Sequence, residues 1–315
     1  MSQADAPTLD PVSFRRFDSD FAGFSKDLGD SFARFGFAVV RDHGLPQARI
    51  EAALAAAKAF FALGEPAKRA YKVGAAGQRG YTPFGVETAK GHAHYDLKEF
   101  WHVGRDLPPG HRLHSQMAPN VWPDAEVPEF RESVGWLFGA LDAMGLRLLQ
   151  AIAVWLGLER DFFAPTVDAG NSILRLLHYP PVGEDRPHIR AGAHEDINVI
   201  TLLLGAEEAG LEVKDRDGRW LPINPPPGAL VVNIGDMLQR LSNHRLPSTT
   251  HRVVNPAPER RGHSRYSTPF FLHFNPDYEI RTLPGCVDAD HPDRYPQPIT
   301  ADAYLQQRLR EIKLA

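Results

Sequence analysis

The chain is expected to fold as a mainly β protein with a helical frame. Three observations carry this. Apolar residues recur at helical spacing through the first half of the chain. From Ser172 onward the pattern changes to short β-branched and aromatic runs, and turn-forming residues separate those runs. Many short strands with turns between them fit a sandwich or a barrel.

The elements follow in order. Phe21, Phe24, Leu28, Phe32 and Phe35 share one helical face, and Gly36 ends that helix before a strand from Phe37 to Val40. Pro46 opens a second helix with Ile50, Leu54, Ala57 and Phe61 along one side. A longer helix follows Pro128 and carries Phe130, Val134, Leu137, Leu141, Met144, Leu148, Ile152 and Leu156. These stripes read as core packing against a sheet. Strands are expected from Ile173 to Leu177, Val199 to Leu204, Leu230 to Ile234, Thr250 to Val254 and Tyr266 to Phe274. Asp217-Gly218 and Pro225-Pro226-Pro227-Gly228 punctuate them. A last helix from Ala301 to Leu314 puts Leu305, Leu309 and Ile312 on one face. The polar stretch from Pro180 to Arg190 is a candidate substrate lid. The chain divides into an amino-terminal mixed region, residues 1–165, and a strand-rich core, residues 166–315, packed as one unit.

Composition bounds the function. A chain of 315 residues buries a substantial core, and 43% hydrophobic with 23% charged residues is ordinary for a globular protein. A net charge of −4 disfavours nucleic acid as the partner, because phosphate binding wants a basic surface. Cys286 is the one cysteine, so no intrachain disulfide forms and a reducing cytoplasm is the expected setting. The amino terminus has no apolar core of a secretory signal. No run reaches the ~18 uninterrupted apolar residues of a membrane span, so no membrane partner is expected.

The chemistry concentrates in His194-Glu195-Asp196 and the distant His251. Residues i and i+2 of a strand point to the same face, so His194 and Asp196 can reach one metal while Glu195 points away. A third ligand from a neighbouring strand completes two imidazoles and a carboxylate, the facial set of non-haem iron(II) oxygenases. Rival patterns exist: His92, His94 and Asp96 have ligand-like spacing, and His291-Pro292-Asp293 repeats the tripeptide. The first reads as a loop ahead of the strand-rich core. In the second, proline breaks the strand ladder. His43 and His244 read as turn residues, and Asp236 as a brace beneath the barrel. Downstream, Arg265-Tyr266-Ser267 places a guanidinium fork and a hydroxyl on one strand face, where together they can hold a carboxylate.

These blocks, in this order, resemble the isopenicillin N synthase-like branch of the iron(II)/2-oxoglutarate-dependent dioxygenases. "FGFAVVRDHGL" resembles its amino-terminal signature, and "GYTPFGVE" and "DLKEFWHVG" its next two segments. "LLHYPP", "HEDINVITLLL", "VVNIGDMLQRLSNHRLPSTTHRVVNP" and "RYSTPFFLHFNPD" follow in the family's order. The likeness runs from Val12 to about Leu309. It implies a double-stranded β-helix, or jelly roll, binding Fe(2+) through His194, Asp196 and His251. It implies 2-oxoglutarate as co-substrate, its distal carboxylate on Arg265 and Ser267, with Tyr179 nearby and ascorbate as a candidate reductant. Dioxygen and a small organic substrate are then consumed, usually by hydroxylation, with release of succinate and carbon dioxide. Two departures stand out: Leu177 and His178 replace the asparagine and first tyrosine of the family's Asn-Tyr-Tyr-Pro motif. Arg260 and Arg261 also stand as rivals to Arg265, which alone has a serine two residues on.

The expected substrate pocket takes Phe271, which alternates onto the face of Arg265, together with Tyr81, Phe84 and Arg190. His273 shares that face as contact or rim. The residues alone leave open an iron oxidase or ethylene-forming type with different co-substrate use, and a metal-retaining binder or sensor without turnover. Substrate identity and oligomeric state are not legible.

Overall fold

The computed structural model describes residues 9–73, 78–86, 97–181, 190–204, 210–255, 259 and 261–311. Two sheets face one another. The larger has nine strands: β1 (Val12–Ser13), β2 (Phe37–Arg41), β3 (Gly80–Thr82), β4 (Glu99–Gly104), β5 (Ile173–Tyr179), β7 (Ile200–Leu204), β10 (Leu230–Ile234), β12 (Arg265–Ser267) and β13 (Pro269–Leu272). Its order is β1-β2-β10-β7-β13-β5-β4-β3, with β12 also on β5. The smaller sheet runs in the order β6 (Ala191–His194), β11 (His251–Val253), β8 (Leu211–Lys214) and β9 (Trp220–Pro222). A hairpin-like pair, β14 (Glu279–Ile280) and β15 (Ile299–Thr300), lies apart. The nine-stranded sheet takes strands from both sides of residue 165, so the amino-terminal region and the core share one sheet.

The helices are α1 (Arg16–Ser19), α2 (Phe21–Phe35), α3 (Gln47–Phe61), α4 (Glu65–Arg69), α5 (Phe130–Trp155), α6 (Ala164–Val167), α7 (Asp236–Leu241) and α8 (Ala301–Glu311). Asp20 caps α2 by accepting from the Gly23 amide at 3.1 Å. Gly36 ends it in the left-handed region, φ 70°, returning its amide to the Phe32 carbonyl. A side chain there would strike Thr249 and the Pro247 carbonyl, so the glycine lets β2 enter the sheet beside the approach to His251. α5 buries the whole expected stripe from Phe130 to Ile152. By length and composition this helix could cross a membrane; here it packs on the outer face of the large sheet. Gly145 marks its closest approach, where an added Cβ would lie 2.5 Å from Leu272.

Alternation sorts the large sheet into two faces. Ala38, Val40, Trp101, Leu174, Leu176, Leu202, Leu230, Val232, Phe270 and Leu272 join α2, α3 and α5 in the main core. The opposite face looks toward the smaller sheet, where Phe37, Leu203 and Val231 meet Val213, Leu211, Leu221 and Ile223. This second layer is thin and apolar at one end. At the other end it turns polar, and that is where the chemistry sits.

Two expectations are adjusted. The run from Tyr266 to Phe274 is interrupted at Thr268, giving β12 and β13. The register on β5 continues through the break, with Ser267 opposite Leu177 and Phe270 opposite Leu174. The last helix is described to Glu311, so Ile312 lies outside the described residues. So do most of the candidate lid, residues 182–189, and the whole rival cluster of His92, His94 and Asp96.

Candidate active site

His194 ends β6 and stands directly opposite His251 on β11. Strand alternation accounts for this pair but not for Asp196. The strand stops at His194, and Asp196 lies in the irregular segment just beyond. Tertiary contacts set it. Its carbonyl accepts the Asp236 amide at 2.7 Å, tying the segment to the start of α7, and nearby Gly235 N donates to the Val199 carbonyl. Gly235 is needed there because a Cβ would lie 2.1 Å from the Asn198 carbonyl oxygen.

The two carboxylate oxygens of Asp196 have separate tasks. Oδ2 accepts from Thr201 Oγ1 at 2.5 Å and from Asn233 Nδ2 at 2.8 Å. Oδ1 faces both rings, 3.9 Å from His194 Nε2 and 3.9 Å from His251 Nε2. Each ring is fixed from behind: His194 Nδ1 pairs with the Gly192 carbonyl at 2.7 Å and His251 Nδ1 with the Thr249 carbonyl at 3.2 Å. Carbonyls only accept, so Nδ1 carries the proton and the Nε2 lone pair points inward. The Phe37 ring meets His251 edge-on, 5.5 Å between centroids.

One donor atom from each residue lies within 4.8 Å of the others. Bonds of about 2.0–2.2 Å to a divalent ion put two ligands at most ~4.4 Å apart; both Asp196–imidazole distances of 3.9 Å lie inside that limit, and a small closing of the side chains brings the whole set within reach of one ion. Two imidazoles, one carboxylate and no thiolate suit iron(II). Burial alone would raise the Asp196 carboxyl, but the neighbouring His251 and His194 rings and its two hydrogen bonds outweigh it and hold it below the usual carboxylate range. The surrounding protein, then His251, pushes the His194 imidazole down to about 4, although 44% of its side chain still meets solvent. At neutral pH Asp196 is thus an anion and His194 a neutral ring, the states in which a carboxylate and an imidazole bind a metal. Glu195 points away and accepts from Thr250 Oγ1 at 2.9 Å.

Farther along the same inner face, Arg265 and Ser267 on β12 are both buried. Arg265 stands opposite Tyr179 with its guanidinium 5.2 Å from the tyrosine ring. Tyr266, between them, points to the helix side and stacks on His178 at 4.8 Å. Of the rival arginines, Arg261 is half-buried at most and Arg260 lies outside the described residues.

The comparisons with known proteins agree with this geometry. The model of the 2OG-Fe(II) oxygenase superfamily matches residues 170–274, and that of the non-haem dioxygenase in morphine synthesis N-terminal region matches residues 7–125. A 2-oxoglutarate-Fe(II) type oxidoreductase, hxnY of Emericella nidulans, is 36% identical over 94% of this chain and 88% of its own. The chain belongs to the iron(II)/2-oxoglutarate-dependent oxygenases. A putative 2OG-Fe(II) oxygenase family protein from Caulobacter crescentus superposes with a TM-score of 0.92 and 66% identity, covering 98% of this chain and 100% of that one. A full-length Neurospora crassa protein, solved in complex with alpha-KG and thymine, superposes with a TM-score of 0.86 and 29% identity, covering 98% of each. The fold is thus the jelly roll, and the oxygenase uses iron(II) and 2-oxoglutarate on a small molecule.

Within the oxygenase, Phe271 lies half-buried on the inner face between Ile173 and Thr201. His273 continues that face, pushed down to about 4 by burial against the opposing pull of Asp196. Three other expected pocket residues stand elsewhere. Tyr81 is fully buried on the helix side, where alternation places it opposite Trp101, and its hydroxyl donates to Glu99 at 2.5 Å. Phe84 also lies toward that side, its ring near Lys68 and His178. Arg190 is fully buried at the root of β6, donating through Nη2 to the His263 carbonyl at 3.2 Å.

His178, which replaces a family tyrosine, belongs to a buried network on that outer side. It pairs with Glu99 at 2.7 Å and Ser264 at 3.0 Å, while Lys68 bonds Glu99 at 2.7 Å. Burial would raise Glu99, but these bonds from His178, Lys68 and Tyr81 hold it low. His43, His244 and His291 are all away from the metal cluster, bonded to Gly228, Tyr295 and Asp288 respectively. Asp236 is buried at the head of α7 against Arg308, at 3.0 Å.

The sequence reading missed Thr201 and Asn233, which sit in apolar runs that look like plain core strand. It also missed Arg175, whose guanidinium lies on the inner face 4.3 Å over Phe100 and 5.5 Å over Phe271, with Nε donating to His102 at 2.6 Å. Alternation with Leu177 and Tyr179 could have found Arg175.

Removing one of the two bonds on Asp196 Oδ2 should loosen the metal without unfolding the barrel. Thr201→Val is expected to weaken iron(II) or cobalt(II) binding about 10–100-fold with little change in secondary structure. Anaerobic metal titration followed by circular dichroism checks this; unchanged affinity would mean that Asn233 alone orients the carboxylate.

Proposed function

We propose that His194, Asp196 and His251 hold the iron(II), and that Arg265 and Ser267 hold the distal carboxylate of 2-oxoglutarate beside Tyr179. One observation supports the first part above all others. Every atom of the three side chains that does not face the cluster is already engaged by a carbonyl, a hydroxyl or an amide, and the remaining three donors converge. The Arg265 fork is preorganised by its seat against Tyr179 and matches a carboxylate in a way that lysine does not. Iron and 2-oxoglutarate, once bound with dioxygen, supply the oxidising chemistry. The chain's residues orient the partners and keep water out.

The primary substrate, in this reading, is a small molecule seated against Phe271 with Arg175 and His102 along its edge. The thymine in complex with the Neurospora protein is one example of a compact planar ligand on this fold. Hydroxylation is the favoured outcome. The single cysteine, buried Cys286, supports a reducing cytoplasmic setting.

Anaerobic addition of iron(II) and 2-oxoglutarate should produce the visible charge-transfer band of the chelate, and succinate should follow on admission of air. Asp196→Ala is expected to lose both while keeping its helical signal, whereas Glu195→Gln keeps both. An Asp196→Ala protein with wild-type turnover would overturn the ligand assignment.

Arg265→Lys keeps the charge and loses the fork. The apparent affinity for 2-oxoglutarate should fall at least about tenfold, equivalent to ~1.4 kcal/mol. If titration of the charge-transfer band shows no change, a neighbouring arginine is the anchor.

Phe271→Ala should spare 2-oxoglutarate binding and its slow uncoupled turnover, because the residue lies six positions from Arg265 along one face, roughly 20 Å in the extended limit. The measurement is succinate formed per substrate oxidised, on the best substrate from a metabolite library, and the ratio should rise in the variant. Lost thermal stability with an unchanged ratio would make Phe271 a packing residue.

A further inference from the structure

Besides Arg265 and Arg175, a further guanidinium stands on the inner face, and the metal and co-substrate readings give it no task. Arg79 is 1% exposed. Its Nη1 donates to the Gln78 carbonyl at 2.8 Å and its Nη2 to Asn171 Oδ1 at 2.9 Å, while the buried Nε meets no acceptor among the described residues. Neither of its two partners is an anion. Asp106 acts on it only at a distance, and burial, the larger effect, pushes the guanidinium down to about 10. Even so it keeps its proton at neutral pH, leaving a buried positive charge with no carboxylate paired to it among the described residues.

The seat of this charge is built by a glycine. A Cβ on Gly104 would lie 1.9 Å from Arg79 Cζ, 2.0 Å from Nη2 and 2.3 Å from Nε, so the guanidinium occupies the space where that side chain would be. Gly104 stands opposite Ile173, Ile173 opposite Phe271, and Phe271 opposite Thr201. Residues opposite one another in neighbouring strands project to one face of a sheet. Arg79 therefore lies on the face of Phe271 and Thr201, in the very row whose far member holds Asp196. Three strand spacings of about 4.8 Å separate Gly104 from Thr201, roughly 14 Å along the sheet, and curvature shortens the direct path. That is the span of a small organic molecule lying over Phe271.

We propose that Arg79 is the counter-charge for the primary substrate, and that this oxygenase acts on a small carboxylic acid whose carboxylate docks on the Arg79 guanidinium while the rest of the molecule crosses Phe271 toward the metal. The proposal rests on the metal and co-substrate assignment above and adds the substrate class. Asn171 fixes the plane of the fork, and Gly104 keeps it flush with the sheet. The alternative is a purely structural clamp, joining the start of β3 to the start of β5.

Matched probes separate the two. Full-length protein saturated anaerobically with iron(II) and 2-oxoglutarate is titrated with benzoate against benzamide, phenylacetate against phenylacetamide, and hexanoate against hexanamide. Perturbation of the charge-transfer band and the thermal midpoint are the readouts. The wild type should bind the acids at least tenfold more tightly than the amides. Arg79→Gln should bring the acids down to the level of the amides while the band itself forms normally. Arg79→Lys, which keeps the charge and guards against a folding defect in the glutamine variant, should weaken the acids selectively and leave the amides unchanged. Equal binding of acid and amide by the wild type, no binding of any pair, or equal losses for both in the Arg79 variants would overturn the proposal. A wild-type protein that forms no band at all would instead overturn the underlying metal and co-substrate assignment.

Discussion

A carboxylate cannot sit between two apolar sheets unless something holds its charge, and the site depends on how that is solved at Asp196. One oxygen is held by Thr201 and Asn233, from two adjacent strands of the large sheet. The other faces two imidazoles from the small sheet. The residue thus joins the two layers at the point where a metal can add a further positive contact, an anion beside two imidazoles whose Nε2 atoms face it.

The rest of the fold keeps this arrangement rigid. The α5 stripe and the outer face of the large sheet bury a continuous core that sets the positions of β7 and β10, and with them Thr201 and Asn233. Gly36 and Gly235 allow two backbone approaches that a side chain would block, one beside the strand of His251 and one beside the Asp196 segment. On the outer side, Glu99, Lys68 and His178 form a charged network, and the stacked His178 and Tyr266 rings press β12 onto β5. The Arg265 and Ser267 face of β12 is braced by chemistry on the opposite side of the same strand.

Position along the inner face also orders the polar side chains. Arg265 and Ser267 lie at one end, Arg175 with Phe100 and His102 in the middle, and Phe271 in the row of Thr201, which bonds Asp196. Alternation along β5, β12 and β13 sets these side chains in successive rows of one face.

The sequence by itself determined the long helices of the frame, several of the core strands and the chemistry-bearing residues whose spacing is local. His194, Arg265, Ser267 and Phe271 are legible because alternation along one strand fixes which face they share, and His251 because its block stands in the family order. Only the tertiary structure decided the rest. Asp196 reaches the cluster from beyond a strand end, held by α7 and by Thr201 and Asn233, contacts that no local period encodes. Tyr81 reads as a pocket residue because it is an aromatic of the amino-terminal GYTPFG segment. The pairing of β3 with β4 turned it to the helix side. Arg79 precedes a glycine at φ 69°, which breaks alternation, so only the packing of its guanidinium on Gly104 reveals which face it serves. Periodicity is a property of one strand, whereas the face a residue serves at a strand end depends on which neighbours arrive there.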